Sequence, residues 1–402
     1  MFYAAPIWSC GEGCYDFTAP ENHQLGWGDD RQIEAIMAQG ALPVLNVGGV
    51  PAWLAANVNE PPKDFDKYEA LWTSALQHVA TKYPKIYYLE AFNEPEYSKT
   101  SLAEVEKMYS HLANAVNKVY IETRHHFLIG GPTSAVPLSS GVMGNFLSYV
   151  SNRHLELDFV SYHDYGGSGS GLGGFGRQIQ QALASAGLDP SLPQLVTEWA
   201  KGDFKGGWSN TIAAGDAVWA AQGWASTLAA GLGDIVQPEM TWENNCYIGD
   251  PNNSMFVTGP IGHIPDGNTC PGPDGPVMPA YNIYKMMSMQ KANLVSYHGI
   301  NDQVGLSPIA SEDSTGVALM IATAAGGRAK INLINLPARF HHGAFIYREY
   351  LINPYTSNYV YNRTNAGSLQ QVSSARESGG TFFITSVLLN RNSILLIVLT
   401  PI

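Results

Sequence analysis

Six runs with the character of buried strands begin at residues 42, 86, 126, 157, 194 and 234, so successive starts are 44, 40, 31, 37 and 40 residues apart. That interval accommodates one strand and one return helix, the unit that brings consecutive strands back parallel. The intervening segments carry helical signals. DDRQIEAIMAQG sets Ile33, Ile36 and Met37 on one face, between an N-cap at Asp29 or Asp30 and a stop at Gly40. Asp64 opens a helix with Phe65, Tyr68, Leu71, Trp72, Leu76 and Val79 on its inner stripe. Ser101 with Glu104 forms a capping box ahead of Leu102, Val105, Met108, Leu112 and Val116. VMGNFLSYV, FGRQIQQALASAG and the apolar stretch from Ile212 to Ala230 continue the alternation. With FYAAPIW at residues 2 to 8 as a further strand, so many units in one run predict an α/β fold, a closed (β/α)8 TIM barrel over residues 1–295, rather than an open sheet.

Past a Pro/Gly-rich loop at 251 to 279 and a helix around YNIYKMMSMQ, the period changes. GVALMIATA, KINLINL, AFIYREYLI, TFFITSVLL and NSILLIVLT are short strand-like runs with turn residues and no helix between them. Residues 296–402 are therefore expected to form a C-terminal β-sandwich.

In such a barrel the C-terminal strand ends share one rim, and active sites sit there. Two runs finish on an acid: KIYYLEAFNEPE carries Asn93 and Glu94, and PQLVTEWA carries Glu198. An acid closing an otherwise apolar run is costly unless it works. Hydrolysis of a glycosidic bond needs one carboxyl to protonate the leaving oxygen and one to attack or support the anomeric carbon, ~5 to 5.5 Å apart in a retaining enzyme. Glu94 and Glu198 are the expected catalytic pair. Asn93 is placed to bond a sugar hydroxyl. His163 and Tyr165, closing LDFVSYHDY, are placed to touch the sugar or orient Glu198, and Trp242, closing DIVQPEMTW, to stack on a pyranose face. Glu90 in mid-strand and Glu96 beyond the turn are read as bystanders, and Trp53 and Trp199 as packing residues. Glu239 and Glu243 are read as hydroxyl ligands or as solvated loop residues.

A formal charge of -12 and the absence of any basic run argue against nucleic acid or anionic membranes as partners, and favour a neutral carbohydrate. No run of 18 apolar residues is present to span a membrane. The four cysteines, Cys10, Cys14, Cys246 and Cys270, have no zinc-site spacing; two local disulfides are expected, with free buried thiols as the alternative. Sequons at Asn252 and Asn362 permit glycosylation. His125 with His126 and His341 with His342 are adjacent, so neither pair makes a metal site, and no metal or other cofactor is expected. Gly169, Gly171 and Gly174 match a dinucleotide fingerprint, but they lie in a glycine-rich stretch late in the series, which reads as a flexible rim loop.

The FNEPE and LVTEW runs resemble clan A of the glycoside hydrolases, where the acid/base follows Asn in Asn-Glu-Pro and the nucleophile ends strand seven. LNVGGVPAWL, LIGGPTSA, FVSYHDYG, LVTEWA and the closing sandwich are similar to family 39 within that clan, the β-xylosidase and α-iduronidase group, over most of the chain. The resemblance implies a secreted retaining hydrolase of β-linked glycosides in a polysaccharide or oligosaccharide. Glu94 would be its acid/base, Glu198 its nucleophile and Asn93 the partner of the 2-hydroxyl. A heparanase or β-glucuronidase-like uronidase, and a non-catalytic carbohydrate-binding protein on the same scaffold, are the alternatives; the presence of both glutamates argues against the second. The clan places these acids on strands four and seven of eight, whereas counting from FYAAPIW puts them on the third and sixth. Both counts fall short by one, so the first βα unit is expected upstream of Met1 or on a separate cleaved chain. MFYAAPIW also lacks the basic region and apolar core of a signal peptide, which points the same way for a secreted protein.

Overall fold

The computed structural model of the chain describes residues 29–38, 40–51, 53–57, 60–201, 209–232, 276–298, 305–362 and 367–402. The described residues fall into two compact units. One holds those up to Tyr165 and from Phe175 to Trp199; the other holds Gly166–Gly174 and those from Ala200 onward.

The first unit alternates helix and strand: α1 (Asp29–Ala38), β1 (Leu45–Val47), α2 (Phe65–Lys82), β2 (Tyr88–Ala91), α3 (Leu102–Thr123), β3 (Leu128–Ser134), α4 (Val142–Arg153), β4 (Phe159–Tyr165), α5 (Leu172–Ser185, its first residues in the other unit) and β5 (Gln194–Ala200). The strands form one sheet in chain order, with the β1–β2, β2–β3 and β3–β4 pairs parallel. This is a half-barrel. The strands expected at 2 to 8 and 234 to 242 lie outside the described residues, as do all four cysteines, Asn252 and Trp242. Closure of the barrel is therefore not seen.

Local chemistry starts the helices where the sequence places them. Asp64 accepts from the backbone N–H of Asp66 and Lys67 at the head of α2, and the Ser101–Glu104 capping box opens α3. Each such cap stabilises a helix start by about 1 kcal/mol. Asp30 behaves differently from its expected capping role: it lies inside α1, buried, and accepts from His78 and Lys82 of α2. Burial raises its pKa, but the hydrogen bonds of Lys82, His78 and Tyr83 together with the charge of His78 outweigh that and hold it low.

The second unit holds α6 (Asn210–Ala229), α7 (Pro279–Met287) and eight strands: β6 (Asn293–Leu294), β7 (Ser307–Asp313), β8 (Gly316–Thr323), β9 (Gly327–Ile334), β10 (Ala344–Ile352), β11 (Gln370–Ser378), β12 (Phe382–Leu389) and β13 (Ser393–Pro401). Six form a sheet in the order β11-β10-β13-β8-β7-β6, and β12 pairs antiparallel with β9. Val317, Leu319, Ile321, Ile331, Phe345, Tyr347, Leu395 and Ile397 fill the core that joins the two sheets into a sandwich. Helix α6 packs on β7, β8 and β13, so β8 is buried along its whole length. Strands β7 (SPIASED) and β11 (QQVSSARES) were not marked by hydropathy; they pair with β8 and β10 through the backbone.

The glycine-rich segment is not a flexible rim loop. Gly169–Gly171 is a 3-10 turn that runs directly into α5. A Cβ on Gly169 would meet the carbonyl oxygen of Trp219, and one on Gly173 that of Ser226, both on α6. Trp219 Nε1 donates to Gly167 O at 2.7 Å, and Gly173 N donates to Ser226 Oγ at 2.9 Å. The glycines permit close backbone approach. No helix among the described residues is long and apolar enough to cross a membrane.

Candidate active site

Strand β2 ends at Ala91, and the chain then turns sharply. Phe92 (φ 70) and Glu94 (φ 45) both adopt left-handed backbone, a conformation that costs a non-glycine residue about 1–2 kcal/mol. Bonds to both neighbouring strands hold it: Phe92 N donates to Val47 O at 3.1 Å and Glu94 N to Thr133 O at 2.9 Å. The turn places the Glu94 side chain beside β4. There, His163 and Tyr165 stand two apart and share a face of the strand.

His163 joins the two acids. Its Nδ1 lies 2.9 Å from Glu94 Oε1 and 3.1 Å from Glu198 Oε2, with the imidazole side chain fully buried. A carboxylate can only accept, so Nδ1 carries the proton and donates to Glu94, while Glu198 stands beside it within ion-pair distance. Tyr165 donates to the same Glu198 Oε2 at 2.9 Å. The Glu94 side chain is 24% exposed and that of Glu198 10%, so the acid on β5 is the more enclosed of the two.

Enclosure decides the electrostatics. Burial pushes the Glu198 carboxyl up to about 7; His163 opposes this, while the charges of Glu94 and Glu90 add to it. Burial disfavours a charged His163 ring, but the hydrogen bond to Glu94 and the charges of Glu198, Glu90 and Glu94 outweigh it, so its pKa is raised. The sequence places the retained proton on Glu94, whereas in the structure the raised carboxyl is Glu198.

Five of the six residues expected at the site, Asn93, Glu94, His163, Tyr165 and Glu198, lie at or just beyond the ends of β2, β4 and β5; Trp242 lies outside the described residues, as do Glu239 and Glu243. Asn93 lines a small open cleft with Gly49, Val50, Phe92, Ser98 and Thr100. His163 has no exposed surface with which to touch a sugar and acts as an orienter of the acids. Trp199 is fully buried. Glu96 pins the turn, accepting from Ser134 Oγ and from Ala135 N at 3.2 Å. The histidine pairs are spent elsewhere: His125 on Ile86 O, His126 on Glu156 and His341 on Leu336 O.

Glu90 is not a bystander. It accepts from Asn46 and Thr197 inside the half-barrel and acts electrostatically on both His163 and Glu198. The available signal was a polar residue interrupting each of three apolar runs: Asn46 in LPVLNVGG, Glu90 in YYLEAF and Thr197 in LVTEW. Glu94, His163 and Glu198 each offer one donor atom within 4.8 Å of the others, a spacing that a cation could bridge. An ion there would have to displace the Nδ1 proton, since a ligating imidazole nitrogen must be unprotonated. The bond of Nδ1 to Glu94 and that of Tyr165 to Glu198 already engage the same three atoms.

No family model matches the chain. A segment of 154 residues is 27% identical to a β-xylosidase of Geobacillus stearothermophilus, covering 34% of this chain and 29% of that enzyme. The match thus spans less than a third of that relative's length. Solved structures match far more of the chain. A monomeric β-xylosidase from Caulobacter crescentus CB15 superposes with TM-score 0.71 at 16% identity, over 93% of this chain and 84% of that one. A bacterial orthologue of human α-L-iduronidase gives 0.76 at 14% identity, over 100% and 75%. A GH39 enzyme from Xanthomonas axonopodis pv. citri gives 0.69 at 14% identity, over 93% and 82%. The chain resembles the family 39 glycoside hydrolases. At these identities the superpositions establish a family 39-like scaffold, on which the rim of the half-barrel carries Glu94 and Glu198.

Proposed function

We propose that the chain is a retaining glycoside hydrolase, cleaving β-linked glycosides of a polysaccharide or oligosaccharide by double displacement. The observation that carries this reading is the convergence of Glu94 and Glu198 on one buried ring nitrogen, with their oxygens within 4.8 Å. That spacing suits the close geometry of ~5 to 5.5 Å, in which one acid attacks directly, better than the ~6.5 to 9.5 Å that leaves room for an attacking water.

Glu198 attacks the anomeric carbon as Glu94 gives its proton to the leaving oxygen, so the glycosidic bond breaks while an ester to Glu198 forms. Glu94, now a carboxylate, takes a proton from water, and the water oxygen displaces Glu198 and restores both groups. The hydrogen bond from Tyr165 to Glu198 Oε2, and the charge of His163 beside it, favour its charged, nucleophilic form. Asn93 bonds the sugar's 2-hydroxyl and Trp242 stacks beneath its ring. We take the half-barrel to be part of a closed (β/α)8 barrel, in a protein that works outside the cell. β-Xylosides are the first substrates to try, because the Geobacillus and Caulobacter relatives are β-xylosidases. A uronidase is the second reading, favoured by the iduronidase orthologue, which covers the whole chain.

A screen of aryl glycosides tests the class, and proton NMR of the first anomer released tests retention. Glu94→Gln and Glu198→Ala should each lose roughly 10²–10⁴-fold or more in kcat with the fold kept. Azide should rescue Glu198→Ala as a glycosyl azide. Azide rescue of Glu94→Ala instead would reverse the roles, and an inverted first product, or no hydrolysis of any glycoside, would overturn the reading.

A further inference from the structure

Among the described residues, Glu90 is the one buried glutamate beside the site that double displacement leaves unused. It is 3% exposed and stands on β2 directly opposite Asn46 of β1. Both of its oxygens are engaged: Asn46 Nδ2 donates to Oε2 at 2.8 Å and Thr197 Oγ1 to Oε1 at 2.6 Å. The same Asn46 amide donates to Phe92 O at 2.6 Å. Thr197 immediately precedes Glu198, and Phe92 stands two residues before Glu94. One carboxylate therefore ties together the backbones that deliver both acids.

Two donors and no unmet acceptor suit the ionised form of Glu90. A buried carboxylate without a counter-charge is strongly disfavoured, and among the described residues no Lys or Arg forms an ion pair with it. The cationic group that its charge acts on is His163. The fully buried ring lies against Glu94 from the turn after β2 and Glu198 from β5, and the charges of both, with that of Glu90 on β2, favour the imidazolium. On its own strand Tyr165 meets the ring edge-on at 6.2 Å, and the neighbouring Asp164 points to the opposite face. Nε2 is buried with no partner among the described residues whichever protonation state the ring adopts, so the three carboxylates decide that state.

We infer that Glu90 is a positioning residue of this site: it fixes β5 beside Glu198, and its buried negative charge favours a protonated His163, the ring that donates to Glu94 and itself takes no part in proton transfer. The consequence for rate rests on the hydrolase reading; the charge coupling between Glu90 and His163 does not. Because Glu90 touches no substrate, its loss should lower kcat and leave KM nearly unchanged. Because its charge also raises Glu198, its loss should move the limb of the pH profile that Glu198 sets to lower pH.

The test is Glu90→Gln in the full chain, with the His163 ring followed by NMR of labelled histidine across pH. The midpoint of His163 should fall by about one pH unit or more relative to the parent. Alongside it, kcat should fall roughly tenfold or more with KM within about twofold. An unmoved His163 midpoint in the folded variant overturns the inference, even if activity drops. If Glu90→Gln does not fold, neutron diffraction from the unaltered protein near pH 7 answers the same question. Deuterons on both ring nitrogens of His163 and none on Glu90 support the inference; a neutral ring or a deuteron on Glu90 overturns it. The two failures are separable. A chain that hydrolyses no glycoside but whose His163 midpoint moves with Glu90 sinks the hydrolase reading alone. A hydrolase whose midpoint does not move sinks this inference alone.

Discussion

At the scale of single residues, the carboxyl of Glu198 sets the pH behaviour. Held at about 7 by its burial, it keeps its proton well above the usual range of a glutamate and loses it as the pH passes that value. Below it the nucleophile of the proposed mechanism is neutral. In that mechanism kcat/KM should therefore rise as the pH climbs through about 7. A profile flat from roughly pH 5 to 8 would show that Glu198 does not attack from so raised a carboxyl. Sequence made Glu94 and Glu198 legible because each interrupts an apolar run at a strand end. Glu90 was misread because its role depends on the pairing register of β1 with β2, which sets Asn46 opposite it. Its tie to Thr197, 107 residues away, is fixed by tertiary structure alone.

At the scale of elements, the spacing of strands and the helix caps were readable because both are local. Period, cap and stop signals fix α2, α3 and α4 within a few residues. What local reading missed were elements defined by a partner. Strands β7 and β11 look polar because they take their order from the ladders of β8 and β10. The glycines before and within α5 look loose because the surface they accommodate belongs to α6, some fifty residues on. The two views of those glycines differ measurably. Gly173→Ala should destabilise the protein by about 1–3 kcal/mol, because the new methyl meets a helix backbone that cannot turn aside. Gly174→Ala, with nothing within 4 Å of the added carbon, should be neutral or stabilise α5 by up to about 1 kcal/mol. Denaturant melts of the pair check this; equal tolerance of both changes would restore the flexible-loop reading.

At the scale of the whole molecule, fold class was legible as two patterns of period: a βα alternation giving the half-barrel, then a helix-poor stretch giving the sandwich. The stability of the fold depends on the site that the first of these supports. The Glu198 carboxyl titrates at about 7 in the folded protein against 4.5 ordinarily. Below pH 4.5 it is neutral folded or unfolded and affects neither state. Between the two values the unfolded chain ionises while the folded one keeps its proton, so stability is lost as pH rises. Above pH 7 the loss is complete, at ~3 kcal/mol. Glu198→Gln removes this titration while keeping the side chain's size. The variant should match its parent near pH 4.5 and exceed it by up to ~3 kcal/mol at pH 8, as read by denaturant melts at both values. Other groups titrate over the same range. Asp30 and Glu69, held low by basic neighbours once burial is overcome, weaken the fold as acid protonates them. They do so equally in parent and variant, so the difference isolates Glu198. The opposing contribution is His163, which loses one of its three carboxylates in the variant and gives back part of the gain. An advantage of the same size at both pH values would mean that the gain comes from packing rather than from a buried charge. A parent more stable than the variant at pH 8 would mean that His163 and Tyr165 stabilise the ionised Glu198 by more than its burial costs.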